Sequence, residues 1–285
     1  MIITASQVNE LRQKTGAGMM DCKKALTEAD GDYDKAIDIL RKKGAAVAAK
    51  RAEKSANEGL VLIKISDDKK TGVIVEINCE TDFVAKSADF INLADSVLQT
   101  VFTENPANKE VLLANSPALS NQVNDVMGKV GEKIEVSRFS IEKVSEGVVV
   151  GYVHLGSKLG VLVKFEGASS GLDELAEMGK DIAMQVAAMK PICVYREEVP
   201  KDLIEKEIDI YKELARKEGK PEQILEKIAT GKINKFYQEN CLVEQAFIKD
   251  NTKSVNDLIK EFNTKHGSNA KIVLFRRFHL GDEKK

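Results

Sequence analysis

At 285 residues the chain is long enough for two or three domains around a sizeable buried core. Hydrophobic residues at 43% and charged residues at 31% are ordinary for a globular protein. A formal net charge of -2, no Trp and 5% aromatics speak against a concentrated basic surface or a base-stacking platform for nucleic acid. Cys22, Cys79, Cys193 and Cys241 are widely separated, without metal-ligand spacing, and read as reduced thiols of a cytoplasmic protein.

The start, Met1-Ile2-Ile3-Thr4-Ala5, has no basic region followed by an apolar one, and no apolar run approaches membrane-spanning length. Residues 1–44 read as three short helices. Ser6 is the expected cap of the first, which carries Val8 and Leu11; Gly16-Ala17-Gly18 breaks it. Met20 to Ala29 turns Ala25 and Leu26 inward, Gly31-Asp32 opens a third helix with Tyr33, Ala36, Ile37 and Leu40, and Gly44 closes the bundle. Such a module resembles a ubiquitin-associated fold, a common binding unit. Met19 and Met20 either fill its small core or form an adaptable exposed contact. Residues 45–57, rich in Ala and Lys, read as a helical, exposed linker.

Residues 58–143 form the first half of a core. Gly59 to Ser66 and Thr71 to Asn78, joined by Asp67-Asp68-Lys69-Lys70, predict an antiparallel hairpin. After Ile77 the pattern changes period: Ala88, Ile91, Ala94, Leu98 and Val101 predict an amphipathic helix, so the turn lies near Thr81 to Ser87. Two readings of that turn stand side by side. Thr81 or Asp82 caps the helix while Phe83 staples it to the sheet, or the turn presents an apolar wedge beside a charge. A further helix is expected near Ser120 to Val130, then Lys133 to Lys143.

The second half, residues 144–198 and 230–285, repeats the first. Glu58-Gly59-Leu60-Val61 and Gly72-Val73-Ile74-Val75 match Glu146-Gly147-Val148-Val149 and Gly160-Val161-Leu162-Val163 at one common offset. At the same offset Thr81-Asp82-Phe83-Val84 faces Ser169-Ser170-Gly171-Leu172. Asp82 and Phe83 are therefore not required merely to build the unit. A helix from Leu172 to Met189 follows, with Leu175, Ile182, Val186 and Met189 on its apolar side and Pro191 ending it. His154, at the end of the second hairpin, is either a half-exposed strand residue or a contact.

Residues 199–229 interrupt this half with two charged helical stripes around Gly219-Lys220-Pro221, the signature of a protruding antiparallel helical hairpin. Gly231 to Asn240 returns to the core, Ser254 to Lys265 reads as a helix and Lys271 to Leu280 as a last strand. The fold class is α+β: a three-helix module, a duplicated strand-strand-helix core with antiparallel sheets, and an inserted hairpin. No catalytic, metal-binding or dinucleotide motif emerges, and Gly231-Lys232-Ile233 is not a phosphate loop.

Two stretches carry a family resemblance. Glu76-Ile77-Asn78-Cys79-Glu80-Thr81-Asp82-Phe83-Val84-Ala85 and Leu11 to Leu26, with Gly16-Ala17-Gly18-Met19-Met20-Asp21-Cys22 at its centre, resemble the two signatures of elongation factor Ts, in the family's order, and the similarity runs from Ile3 to about Phe278. The resemblance implies a guanine-nucleotide exchange factor for elongation factor Tu, bound in its GDP-loaded and nucleotide-free states, with no bond-making chemistry, no cofactor, no metal and no direct nucleic acid or membrane contact. It implies that Thr81, Asp82, Phe83 and Val84 intrude beside the partner's magnesium and phosphate site. It also implies that Arg12, Met19, Met20 and His154 add contacts, although a solvated Arg12 is the plain alternative. In the family the hairpin can take part in a homodimer. The chain stops at Lys285, without the terminal helix of longer members. Two other classes compete: a non-catalytic helical adaptor or dimerisation scaffold, and a translation-associated RNA-binding protein, against which the near-neutral charge speaks.

Overall fold

The computed structural model describes residues 3–51 and 53–282. The first two residues of the start read as leaderless, position 52 of the linker and the last three residues of the expected short C-terminus lie outside them. α1 (Ala5–Thr15) is capped by Thr4 rather than by Ser6: the Thr4 hydroxyl accepts from the Gln7 amide, and the Gln7 side chain accepts from the Thr4 amide. α2 (Met19–Glu28) and α3 (Tyr33–Arg51) complete the module, whose core is Val8, Leu11, Cys22, Ala25, Leu26 and Ala36. Gly44 does not close the bundle, because α3 runs straight through it.

The reason is a helix crossing. A Cβ on Gly44 would lie 2.3 Å from the Asn124 carbonyl oxygen, and one on Gly128 would lie 2.9 Å from the Gly44 Cα. Two glycines thus let α3 lie backbone to backbone against a core helix.

The first sheet is β1 (Glu58–Ile65), β2 (Thr71–Cys79) and β3 (Ile134–Lys143), antiparallel and in that order. Between β2 and β3 the chain forms α4 (Asp82–Ala85), α5 (Ala88–Glu104), α6 (Lys109–Asn115) and α7 (Pro117–Val130), the helix that carries Asn124 and Gly128. The apolar face of α5 is Phe90, Leu93, Ala94, Val97, Leu98 and Val101, while Ala88 and Ile91 are exposed. Ala94, Leu98 and Val101 take the inward positions read from the sequence, while at the start of the helix Phe90, a larger apolar surface than Ala88, sets the inward direction and leaves Ala88 and Ile91 outside.

The second sheet is β4 (Gly147–Val153), β5 (Leu159–Glu166) and, from the end of the chain, β8 (Lys271–His279), also antiparallel, in the order β4-β5-β8. α8 (Leu172–Met189) packs on it, with Met189 half exposed beyond the buried face. α9 (Lys201–Lys217) and α10 (Glu222–Asn240) form the helical hairpin. α10 continues through Gly231, so the return to the core is made by the same helix and not by a new segment. A small ribbon, β6 (Ala246–Phe247) with β7 (Asp250–Ser254), and α11 (Val255–His266) lead into β8.

The duplication is geometric. The β2–β3 ladder slips between Glu76 and Ile77, and the β5–β8 ladder slips at the equivalent pair, Lys164 and Phe165. Gly59 (φ 150°) and Gly147 (φ 132°) each put the place of a Cβ 2.0 Å from a carbonyl oxygen of the facing strand, Ile77 or Phe165. The halves also exchange hydrogen bonds reciprocally: the Val61 amide donates to the Ser157 carbonyl (2.7 Å) and the Val149 amide to the Lys69 carbonyl (2.8 Å). Between the sheets lie Val61, Ile74, Val149 and Leu162, all fully buried. This is the self-complementary contact of a two-fold dimer, built within one chain.

Candidate functional site

The turn after β2 is fastened before it is exposed. Cys79, fully buried at the end of the strand, directs its thiol to the Thr81 carbonyl (3.2 Å); burial, then the Glu132 and Glu58 carboxylates, push that thiol up to about 12, so it stays protonated and inert. Glu80 accepts from the Lys133 amide (2.7 Å) and both its carboxylate oxygens take Arg51 (2.7 and 2.8 Å). Its carboxyl is held below the ordinary value by the Lys133 amide first and by Arg51 next. Thr81 donates its amide and hydroxyl to Glu132 (3.0 and 2.8 Å) and accepts from the Val84 amide, capping α4. Ser87 accepts from the Phe90 amide, capping α5, and donates to the Val84 carbonyl (2.8 Å).

Both helix starts are thus capped by hydroxyls. Thr81 caps a four-residue helix and Ser87 caps the long one, which divides a role that sequence reading gave to one residue. Phe83 staples nothing: its surface is 82% exposed, while Val84 packs against the first-half core and Ala85 is buried. Burial of a Phe is worth roughly 2 kcal/mol. Phe83 realises little of this in the free chain. Asp82 takes the Lys86 ammonium at 2.7 Å; that hydrogen bond first, then the charges of Lys86 and Lys158, hold its carboxyl below the ordinary range.

Lys158 belongs to the β4–β5 turn. It pairs with Glu58 at the start of β1 (2.7 Å), and the Ser157 carbonyl is tied to Val61, so the turn that carries His154 is brought to the strand on which α4 packs. His154 is exposed, its Nδ1 2.7 Å from the Tyr152 hydroxyl. Met19 and Met20 are 57% and 64% exposed at the start of α2, which places both outside the module core. With Ile3, Val8 and Lys23 they line an open groove of about 550 Å³. Arg12 is exposed on α1. The glycine loop between α1 and α2 rests on Lys129 of α7, which pairs with Asp89 in the first turn of α5 (2.7 Å).

Two residues escaped sequence reading. Glu132 holds Thr81 from far along the chain, and nothing local signals it. Leu155, beside His154, is 96% exposed; an apolar side chain inside a polar hairpin turn was the available signal.

The profile of the family described as Elongation factor TS matches residues 80–282, well over half of the chain and starting at the fastened turn. A relative described as Elongation factor Ts from Chloroherpeton thalassium is 46% identical over 288 residues, covering 99% of this chain and 99% of its own. The chain belongs to the elongation factor Ts family. Other members bearing that name are 48% identical in Chlorobium limicola (98% of this chain, 99% of theirs) and 44% in Clostridium kluyveri (99% and 94%). The chain is thus a translation elongation factor by family. As in the sequence reading, the duplicated core and inserted hairpin are α+β with antiparallel sheets. No helix among the described residues is long and apolar enough to cross a membrane.

Proposed function

We propose that this elongation factor Ts family member accelerates GDP release from elongation factor Tu, with Phe83 as the wedge. The observation that carries the reading is the contrast between an aromatic ring left 82% exposed and a support fastened at Cys79, Glu80, Thr81 and Ser87. Phe83 enters beside the partner's nucleotide site and Asp82 brings a carboxylate with it. Together they displace groups that support a magnesium ion, whose octahedral coordination tolerates little distortion. Val84 and Thr81 hold the wedge in place. Arg12, Met19 and Met20 on the module and His154 on the second hairpin add contacts elsewhere on the partner, which supply the free energy of distortion.

By linkage, the factor weakens GDP binding by the ratio in which GDP weakens binding of the factor. Nothing is consumed, and no bond is made or broken. The hairpin of α9 and α10 serves a homodimer; nucleic acid is not contacted directly, and the site of action is the cytoplasm.

The test is stopped-flow release of a fluorescent GDP analogue from purified elongation factor Tu, with catalytic amounts of the chain and of Phe83→Ala. Strong acceleration by the parent, diminished in a folded mutant, supports the reading. Acceleration retained in the mutant keeps the function and moves the wedge elsewhere. No acceleration by the parent removes exchange and leaves the adaptor reading.

A further inference from the structure

The four cysteines are scattered in sequence, but the fold brings two of them together. Cys193 and Cys241 face each other across a parallel bridge, with the Leu242 amide donating to the Cys193 carbonyl (3.0 Å) and the Ile192 amide to the Asn240 carbonyl (2.9 Å). Paired strand segments lie about 4.8 Å apart, within the span a disulfide bridges. Their sulfurs are already 3.6 Å apart, and the Cys193 sulfur also lies 3.1 Å from the Tyr195 carbonyl oxygen. Both are buried, Cys193 at 9% exposure and Cys241 at none, against Val199, Leu203, Ile204, Phe236 and Tyr237. Cys193 precedes α9 and Cys241 follows α10, so the pair sits where both chain crossings attach the helical hairpin to the core.

We propose that Cys193 and Cys241 are an oxidative modification site, joined by a peroxide into an intramolecular disulfide across the base of the helical hairpin. Cys193, the slightly accessible thiol, attacks one peroxide oxygen as its thiolate; the O–O bond breaks, giving a sulfenic acid and hydroxide, which takes up a proton to leave as water. The Cys241 sulfur then attacks the Cys193 sulfur and expels the sulfenic oxygen as a second water. Two thiols lose two protons and two electrons, and the peroxide takes them up. Burial raises both thiols, that of Cys241 to about 12, so the thiolate fraction is small and the site responds to sustained rather than trace oxidant. No partner protein is needed, and the proposal stands or falls independently of nucleotide exchange.

The test uses the full chain, reduced and then treated with hydrogen peroxide, with its fold followed by circular dichroism. Thiols are titrated in denaturant, and a non-reduced digest is read by mass spectrometry. The expected result is a fall from four titratable thiols to two in a monomeric product, with the Cys193 and Cys241 peptides joined. Cys22→Ser and Cys79→Ser variants keep the cross-link, and Cys193→Ser lacks it. The wild-type digest decides alone if a variant misfolds. Unchanged thiols, sulfinic acid at Cys193 without a cross-link, or a disulfide between two chains would each overturn the proposal.

Discussion

The two halves of the core share their construction and differ where the covering helix begins. Both have a glycine-started strand, a left-handed residue in the hairpin turn (Lys69 or Ser157), and a bulge at the same place in the second ladder. In the second half the chain passes through Ser169, Ser170 and Gly171 and enters α8 at Leu172, with no side-chain cap. In the first, the equivalent residues build α4 as an extra turn, cap it with Thr81, brace it with Glu132 and leave Phe83 outside. The second half shows what the scaffold needs. Of the surplus of the first, Thr81 and Glu132 brace the turn, and the exposed Phe83 is the part that packs on nothing among the described residues.

The comparison can be broken first at its surplus. Phe83→Ala is expected to remove roughly 2 kcal/mol or more of partner-binding free energy, the scale of an interface hot spot, and to slow stimulated GDP release accordingly, while the thermal midpoint stays put. A lower midpoint with unchanged exchange would return Phe83 to a structural role. Next come the shared glycines. Gly59→Ala and Gly147→Ala each force a methyl group against a carbonyl oxygen and hold alanine at an unfavourable positive φ, at a cost of about 1–3 kcal/mol. Urea unfolding should show similar losses in both; a large loss in one alone would break the equivalence of the halves.

A smaller effect separates the two helix starts. Thr81→Val deletes a cap and a bond to Glu132, worth about 1 kcal/mol, whereas Ser169→Ala, on the exposed turn of the other copy, should stay within about 0.5 kcal/mol. Equal losses in denaturant melts would mean that both turns are built alike after all. The smallest effect is electrostatic. The folded Asp82 carboxyl lies below its ordinary value because Lys86 favours the charged form. Its contribution is therefore complete above the unfolded value, about 3.9, and is lost as pH falls through the depressed folded value. NMR titration should place the Asp82 midpoint below that of a Lys86→Ala variant; coincident midpoints would exclude the pairing.

Much of this was legible in one dimension. The hairpins at Gly59 and Gly147, the span of α8 and the loaded turn at Thr81 to Val84 follow from period, turn residues and internal comparison, because each is set by neighbours along the chain. Local signals also misled. Gly44 and Gly231 resemble breaks yet lie within α3 and α10, since a single glycine costs a helix only about 1 kcal/mol, and Gly44 recovers close packing on Gly128. Ser6 looked like a cap, but Thr4 with Gln7 makes the complete box.

The sequence by itself determined the hairpin strands and the long helices of the core, that the core is doubled, and which turn departs from the repeat; the short elements α4, α6, β6 and β7 were not legible in it. Only the tertiary structure decided that Phe83 faces outward, that Glu132 braces Thr81, that the second hairpin turn lies against β1, and that Cys193 meets Cys241. Those outcomes depend on the reciprocal packing of two sheets and on contacts between residues distant in the chain. Periodicity reports which face of an element is apolar, and long-range packing selects what that face meets.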